Sequence, residues 1–264
     1  MTAPDLAAYR RDGFLVLEGF LPPADCDSLR TRAAELVAAW DRSARTAFST
    51  KDQGHARDRY FRTSGGAIRF FVEEEAPEHL NKIGHALHDL DPVFDRVSRQ
   101  PRLAELADQL GLERPLLLQS QYLFKQPRIG GEVGWHQDAT YLRTEPSSVT
   151  GLWFALDDAD CDNGCLMVLP RAHRGPLRQW FGYDGETLVT RTLDATPWPA
   201  DESVALEVKR GAVIVLHGLL PHASAPNRSA RPRHAYTLHL IDGRATYAAD
   251  NWLQRPDLPL RGFA

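Results

Sequence analysis

An all-β sandwich or barrel with helices packed on its outside is the fold class the sequence predicts, and three observations predict it. Beyond Pro115 the chain breaks into short aliphatic and aromatic runs. Turn signals separate those runs: Gly130-Gly131, Asn163-Gly164, Asp184-Gly185, Arg210-Gly211 and Pro226-Asn227. Helical periodicity is confined to the part before Pro115, so helices come early and strands late. With 264 residues, no internal repeat and no linker, one domain is expected over residues 1–264, with a helical and lid-bearing flank at 1–114 and the β core at 115–264.

The elements follow in order. Leu15, Val16 and Leu17, between Asp12-Gly13 and Gly19, suit a short strand. After Pro22-Pro23, Leu29, Ala33, Leu36, Val37 and Trp40 recur at three- and four-residue spacing, the mark of an amphipathic helix. From Arg42 to Glu78 no period holds, as in a structured excursion. Helical spacing returns at Leu80–Leu90, which carries Lys82, and again at Leu103–Leu110, where Gly111 supplies a stop. The later strands are expected at 116–124, 148–156, 165–169, 204–208, 212–216 and 235–241, with Asn163-Gly164 as a hairpin turn.

Composition narrows the function classes. Lys plus Arg number 31 against 35 Asp plus Glu, a formal charge of −4 with no basic run, which argues against nucleic acid or an anionic membrane as partner. Asp5, Arg10 and Arg11 interrupt the N-terminal stretch where a signal peptide needs apolar residues, and no long uncharged apolar run follows, so a cytoplasmic location is expected. Cys26, Cys161 and Cys165 are an odd set without the further Cys or His that would complete a zinc site, and read as small apolar fillers.

One constellation carries chemistry. In an extended His136-Gln137-Asp138 the imidazole and carboxylate project to one side of the strand. Such triplets are common by chance. A late histidine, His222 in LLPHASAPN or His217 five residues before it, would supply the third ligand of a two-histidine, one-carboxylate facial triad for iron(II). Arg233 then has a reason by charge count. Iron(II) with one carboxylate keeps a single net positive charge, enough for one end of a dicarboxylate; the other end needs its own cation, and a guanidinium fits it with two parallel hydrogen bonds.

With those residues in hand, the segment QSQYLFKQPRIGGEVGWHQDATYLRTEPSSVTGLWFALDDADCDNGCLMVLPRAHRGPL resembles the phytanoyl-CoA dioxygenase superfamily of iron(II)/2-oxoglutarate oxygenases. The likeness extends to YRRDGFLVLEGFL, YFRTSGGAIRFF, NKIGHALHDLDPVF, VLHGLLPHASAPNRSARPRHAYTLHLID and NWLQRP, nearly the whole chain. It implies a double-stranded β-helix, a cupin-like jelly-roll, with the metal at its mouth. It also implies His136, Asp138 and His222 as iron ligands and Arg233 for the distal carboxylate of 2-oxoglutarate. Lys82, Gln121, Gln137 and Trp153 are its further co-substrate contacts; Gln121 stands where a methionine is usual, and Arg171-Ala172-His173 where Gly-Ser-His is.

The activity so implied is a dioxygenase that consumes O2 and 2-oxoglutarate, hydroxylates an aliphatic C–H of a small molecule and releases succinate and CO2. The related halogenases have Gly or Ala in place of the carboxylate, and Asp138 argues against that chemistry. A metal- and 2-oxoglutarate-binding jelly-roll without turnover is the other reading. The segment Arg57–Phe71 is expected to form a lid, with Tyr60, Phe61, Phe70 and Phe71 as apolar surface, Arg57, Arg59 and Arg69 as anion contacts and Gly65-Gly66 as hinge; Tyr60, Phe61, Arg69 and Phe71 are its candidate substrate-side residues. His173, His234 and His239 are read as structural or wall histidines.

Overall fold

The computed structural model describes residues 2–48, 56 and 58–263. Its scaffold is an eight-stranded sheet facing a four-stranded one. In chain order the large sheet takes β1 (Phe14–Leu17), β2 (Thr46–Phe48), β3 (Ile68–Glu73), β4 (Leu80–His85) and β5 (Pro115–Leu123). The small sheet begins with β6 (Val133–His136); β7 (Thr144–Glu145) lies apart, and β8 (Thr150–Ala155) returns to the large sheet. Then come β9 (Leu166–Val168), the hairpin β10 (Gln179–Asp184) and β11 (Thr187–Thr192), β12 (Val204–Leu206), β13 (Val213–His217), β14 (His222–Ser224), β15 (Ala235–Asp242) and β16 (Thr246–Tyr247). The large sheet is ordered β1-β13-β8-β15-β5-β4-β3-β2 and the small one β12-β9-β14-β6, the arrangement of a jelly-roll.

Helices α1 (Ala3–Asp12), α2 (Pro23–Ala38), α3 (Arg59–Arg62), α4 (Leu87–Leu90), α5 (Pro92–Ser98) and α6 (Pro101–Gln109) all precede β5. Three of them begin at a proline, whose fixed φ suits the first turn and whose missing N–H costs nothing there. Leu29 and Ala33 of α2, Phe94 and Val97 of α5 and Leu103 and Leu106 of α6 are buried against the outer face of the large sheet.

Strand alternation decides what each face carries. On β15, Tyr236 and Leu238 point into the helix-covered core, whereas Thr237 and His239 line a cavity on the other side. On β8 the same alternation sends Leu152 and Phe154 outward and Gly151 and Trp153 inward; on β5 it sends Tyr122 outward and Gln119 and Gln121 inward. The cavity, about 810 Å³, opens between the two sheets.

Two sequence readings change here. The Leu80–Leu90 helix is instead strand β4 followed by the four-residue α4. Leu80, Ile83, Leu87 and Leu90 mimic a helical period because the chain switches element in the middle of the run. Lys82 and Gly84 therefore face inward, paired with Leu123 and Gln121 of β5. Nor does Asn163-Gly164 close a hairpin: β8 and β9 lie in different sheets, and the pair forms the turn that carries the chain from one to the other. The Asn163 side chain holds that turn, accepting from the Asp160 N–H at 2.8 Å and donating to the Asp158 carbonyl at 2.8 Å.

Candidate metal and co-substrate site

His136 closes β6 and His222 opens β14, and the two are directly opposed across the paired strands. Their rings sit 4.2 Å apart, centroid to centroid. Gln137 stays extended before the chain turns at Asp138–Thr140, so Asp138 returns to the side of His136. The Asp138 Oδ1 atom is 3.9 Å from His136 Nε2 and 3.7 Å from His222 Nε2. One donor atom from each of the three residues lies within 4.8 Å of the others.

The tautomers suit a cation. His136 Nδ1 is 2.9 Å from the Gly134 carbonyl and His222 Nδ1 is 3.0 Å from the Leu220 carbonyl. A carbonyl can only accept, so each Nδ1 carries a proton and each Nε2 of the neutral ring presents a lone pair toward Asp138. Burial, with His222 beside it, pulls the His136 imidazole down to about 4, which keeps that ring neutral. Burial on its own would raise the Asp138 carboxyl; the imidazoles around it, His239 first, outweigh that and hold it well below the ordinary range. A carboxylate and two imidazoles whose Nε2 atoms face it are the donor set of a facial triad, so the residues fit iron(II).

In the same cavity, Arg233 is 2% exposed and, among the described residues, makes no side-chain hydrogen bond through Nε or Nη1. Its guanidinium lies 5.1 Å over the Trp153 ring. Burial pulls it down to about 10, still charged at neutral pH. The loop before it is pinned by Asn227, whose Nδ2 donates to the carbonyls of Lys125 and Arg231 at 3.0 and 2.7 Å. Trp153 Nε1 and Thr237 Oγ1 are also buried on this wall without partners among the described residues. A buried cation and two polar groups left unpaired are costly unless something completes them, and a carboxylate does so.

Lys82 lines the same cavity, with Nζ 3.2 Å from the Phe48 ring centroid and burial pulling its ammonium down to about 7. Gln121 also lines it and donates from Nε2 to Gln119 Oε1 at 3.2 Å. Ser224, two residues after His222, lines it too and accepts from Lys125 Nζ at 2.8 Å. Sequence reasoning passed over Ser224, although its position on the inner side of β14 followed from the i, i+2 rule that served for Asp138.

Gln137 has a different task from the one the resemblance implied. Its side chain is turned from the cavity into the backbone, donating to the Pro176 and Leu219 carbonyls at 3.1 and 2.9 Å and accepting from the Arg178 N–H at 2.9 Å. It thereby ties together three loops behind the triad. His217 lies outside the cavity, accepting from the Leu219 N–H at 3.1 Å, with its ring 5.0 Å from that of His173.

The lid expectation is corrected as well. Of its residues, Phe61 lines the cavity, stacked on Trp252 at 4.4 Å, together with Tyr141 and Phe181. Phe71 is fully buried in β3. The Tyr60 hydroxyl donates to the Ala44 carbonyl at 2.9 Å and accepts from the Phe70 N–H at 3.0 Å, and Arg69 lies 4.5 Å over the Tyr60 ring. These side chains are built into a core. Gly65 is a point of close approach, where a Cβ would fall 2.3 Å from the Gln254 carbonyl oxygen. Arg57 lies outside the described residues.

Known proteins resemble this chain in sequence and in fold. The family model described as phytanoyl-CoA dioxygenase (PhyH) matches residues 9–235. A phytanoyl-CoA dioxygenase of Arabidopsis thaliana is 40% identical over 98% of this chain and 95% of its own. Phytanoyl-CoA dioxygenase domain-containing protein 1 of Bos taurus is 43% identical over 98% of this chain and 97% of its own. Among solved structures, the epimerase SnoN in complex with Fe3+, alpha ketoglutarate and nogalamycin RO superposes with a TM-score of 0.69 at 19% identity, covering 97% of this chain and 89% of that one. EctD from S. alaskensis in its apoform gives 0.70 at 21%, covering 97% and 82%. These two show the fold.

Proposed function

The chain belongs to the phytanoyl-CoA dioxygenase family of iron(II)- and 2-oxoglutarate-dependent oxygenases, and on that premise we propose that it hydroxylates an aliphatic C–H of a small molecule. One observation carries the reading: His136, Asp138 and His222 converge in the same cavity that holds the unpartnered Arg233. The three would hold iron, and Arg233, with Thr237 and Trp153, would hold the far carboxylate of 2-oxoglutarate. Bound iron would supply O2 activation coupled to oxidation of 2-oxoglutarate to succinate and CO2.

The residues' own work is positional. Gly134 and Leu220 carbonyls fix the two imidazole planes, and Gln137 fixes the turn that delivers Asp138. Phe61, Tyr141, Phe181 and Trp252 offer an apolar wall that keeps water from the reacting carbon. Lys82 adds a second basic side chain to the lining of the same cavity. A small substrate, as opposed to an acyl-CoA, is supported by the cavity's lining, where Glu73, Glu74 and Glu132 accompany Arg128 and, among the described residues, no basic cluster awaits a diphosphate. Among the described residues no helix is long and apolar enough to cross a membrane.

The test is succinate release from 2-oxoglutarate with iron(II) under air, coupled to a mass-spectrometric screen of cell extract for a product one oxygen atom heavier. A protein that binds both iron and 2-oxoglutarate yet yields no succinate with any extract would refute the catalytic reading.

A further inference from the structure

Asp138 offers its two oxygens to different neighbours. While Oδ1 faces His136 and His222, Oδ2 lies 3.3 Å from Nε2 of His239, a buried histidine on β15. His239 pairs across the sheet with Gly151 of β8, and a Cβ on Gly151 would stand 2.8 Å from that same Oδ2. Glycine in the middle of a fully buried strand forfeits packing and β propensity, and here its Cα leaves room for the carboxylate.

We propose that His239 is a positioning residue, which together with the gap at Gly151 locks the rotation of the Asp138 carboxylate so that it offers a metal one oxygen and not two. The proposal rests on His136, Asp138 and His222 being the ligands. Its consequence is an open face. A carboxylate free to turn would present both oxygens and take up a position that 2-oxoglutarate or O2 needs. Among the described residues Oδ2 makes no hydrogen bond, so the 3.3 Å approach of His239 Nε2 acts as a polar contact, one that a side chain with an N–H donor can supply and an isosteric apolar one cannot.

The experiment compares His239→Leu with His239→Gln, of similar size but differing in the donor. Manganese(II) affinity, measured by calorimetry without 2-oxoglutarate, and the electron paramagnetic resonance spectrum of the manganese complex are the readouts, with thermal midpoints as a control on folding. Outer contacts of this kind change metal affinity by about 10- to 100-fold. A change of that size in H239L, an altered spectrum, and a return of both to wild type in H239Q are expected. G151A, whose Cβ displaces Oδ2, should likewise depart from the wild-type affinity and spectrum. Equal behaviour of H239L and H239Q would overturn the proposal, as would wild-type affinity in H239L. Should H239L fail to fold, wild-type affinity and spectrum in G151A overturn it alone. His136→Ala separates the two layers of the argument: if it retains full manganese affinity, the ligand assignment falls, whereas its loss beside an unaffected H239L leaves the triad standing and removes only the role of His239.

Discussion

The two faces of the large sheet are built from the same strands and follow opposite rules. Outward, Phe154 stacks on Tyr236 at 5.9 Å, Tyr236 meets Phe94 at 5.2 Å, and the buried hydroxyls are answered: Tyr236 by Ser98 Oγ at 2.7 Å, Tyr122 by His234 Nδ1 at 2.7 Å. Inward, one residue away along each strand, Trp153 and Thr237 hold polar atoms without partners among the described residues, and the nearby Arg233 does the same. Satisfied polar groups and close packing stabilise the outer face; unsatisfied ones on the inner face are what a ligand would complete. A period of two thus lets one strand serve stability and binding at once.

The separation is tested most severely at the three residues proposed to hold the metal. His136→Ala, Asp138→Ala and His222→Ala are each expected to abolish iron binding, read by anaerobic titration, while the protein stays folded by circular dichroism. His217→Ala should retain iron, since its ring faces His173 outside the cavity. Next comes Arg233→Ala, expected to weaken 2-oxoglutarate by roughly a hundred- to several-thousand-fold, because stranding one partner of a buried charge pair costs about 3–5 kcal/mol. Arg231→Ala, whose exposed guanidinium bonds Asp160 at 2.6 Å on the surface, should change the affinity little. Equal, mild effects of the two arginine changes in a calorimetric titration would break the inner-face assignment.

The sequence makes these faces legible to different degrees. The strands of the second half could be read because their runs are apolar and bounded by Gly, Asn and Pro, and a run of that kind survives in the fold within a few residues: 235–241 became β15, 116–124 became β5. The clustering of His136 with Asp138 was legible through local spacing, and the approach of His222 to them through the resemblance. What stayed hidden depends on contacts between distant strands. His239 meets Asp138 only because β15 pairs with β8, and Gly151 makes way for them only in that register. The Tyr60, Arg69 and Phe71 group looked like a lid because aromatics, arginines and two glycines in one segment have the same composition whether they cover a cavity or pack beneath it.

On the outer face, Phe154→Ala is expected to cost about 3–5 kcal/mol, as large-to-small changes at fully buried aromatics do, seen as a lower denaturant midpoint. Iron and 2-oxoglutarate affinities measured in the cold, where the variant is still folded, should be unchanged within about twofold, a margin set by the usual additivity of separated sites. A variant that lost stability and affinity in parallel would mean that the two faces are not independent.

The smallest and most discriminating effect belongs to Lys82, an inner-face residue whose burial alone pulls its ammonium down to about 7 from 10.5. The unfolded chain then binds a proton that the folded one does not throughout that window, so the cost of burying Lys82 is full below pH 7 and fades as pH rises toward 10.5. In the absence of ligand, Lys82→Met should be more stable than the wild type at pH 6 and the two should converge at alkaline pH, in urea unfolding followed by fluorescence. Binding should run the other way. If the ammonium meets a carboxylate of 2-oxoglutarate, the dianion selects the protonated form, and wild-type affinity should fall by about fivefold between pH 7 and 8 as the free lysine gives up its proton. Lys82→Met should bind more weakly and with no such slope. A wild-type affinity that is flat across this range, together with an unchanged affinity in the methionine variant, would remove Lys82 from the co-substrate wall and leave Arg233 as the cation that holds it.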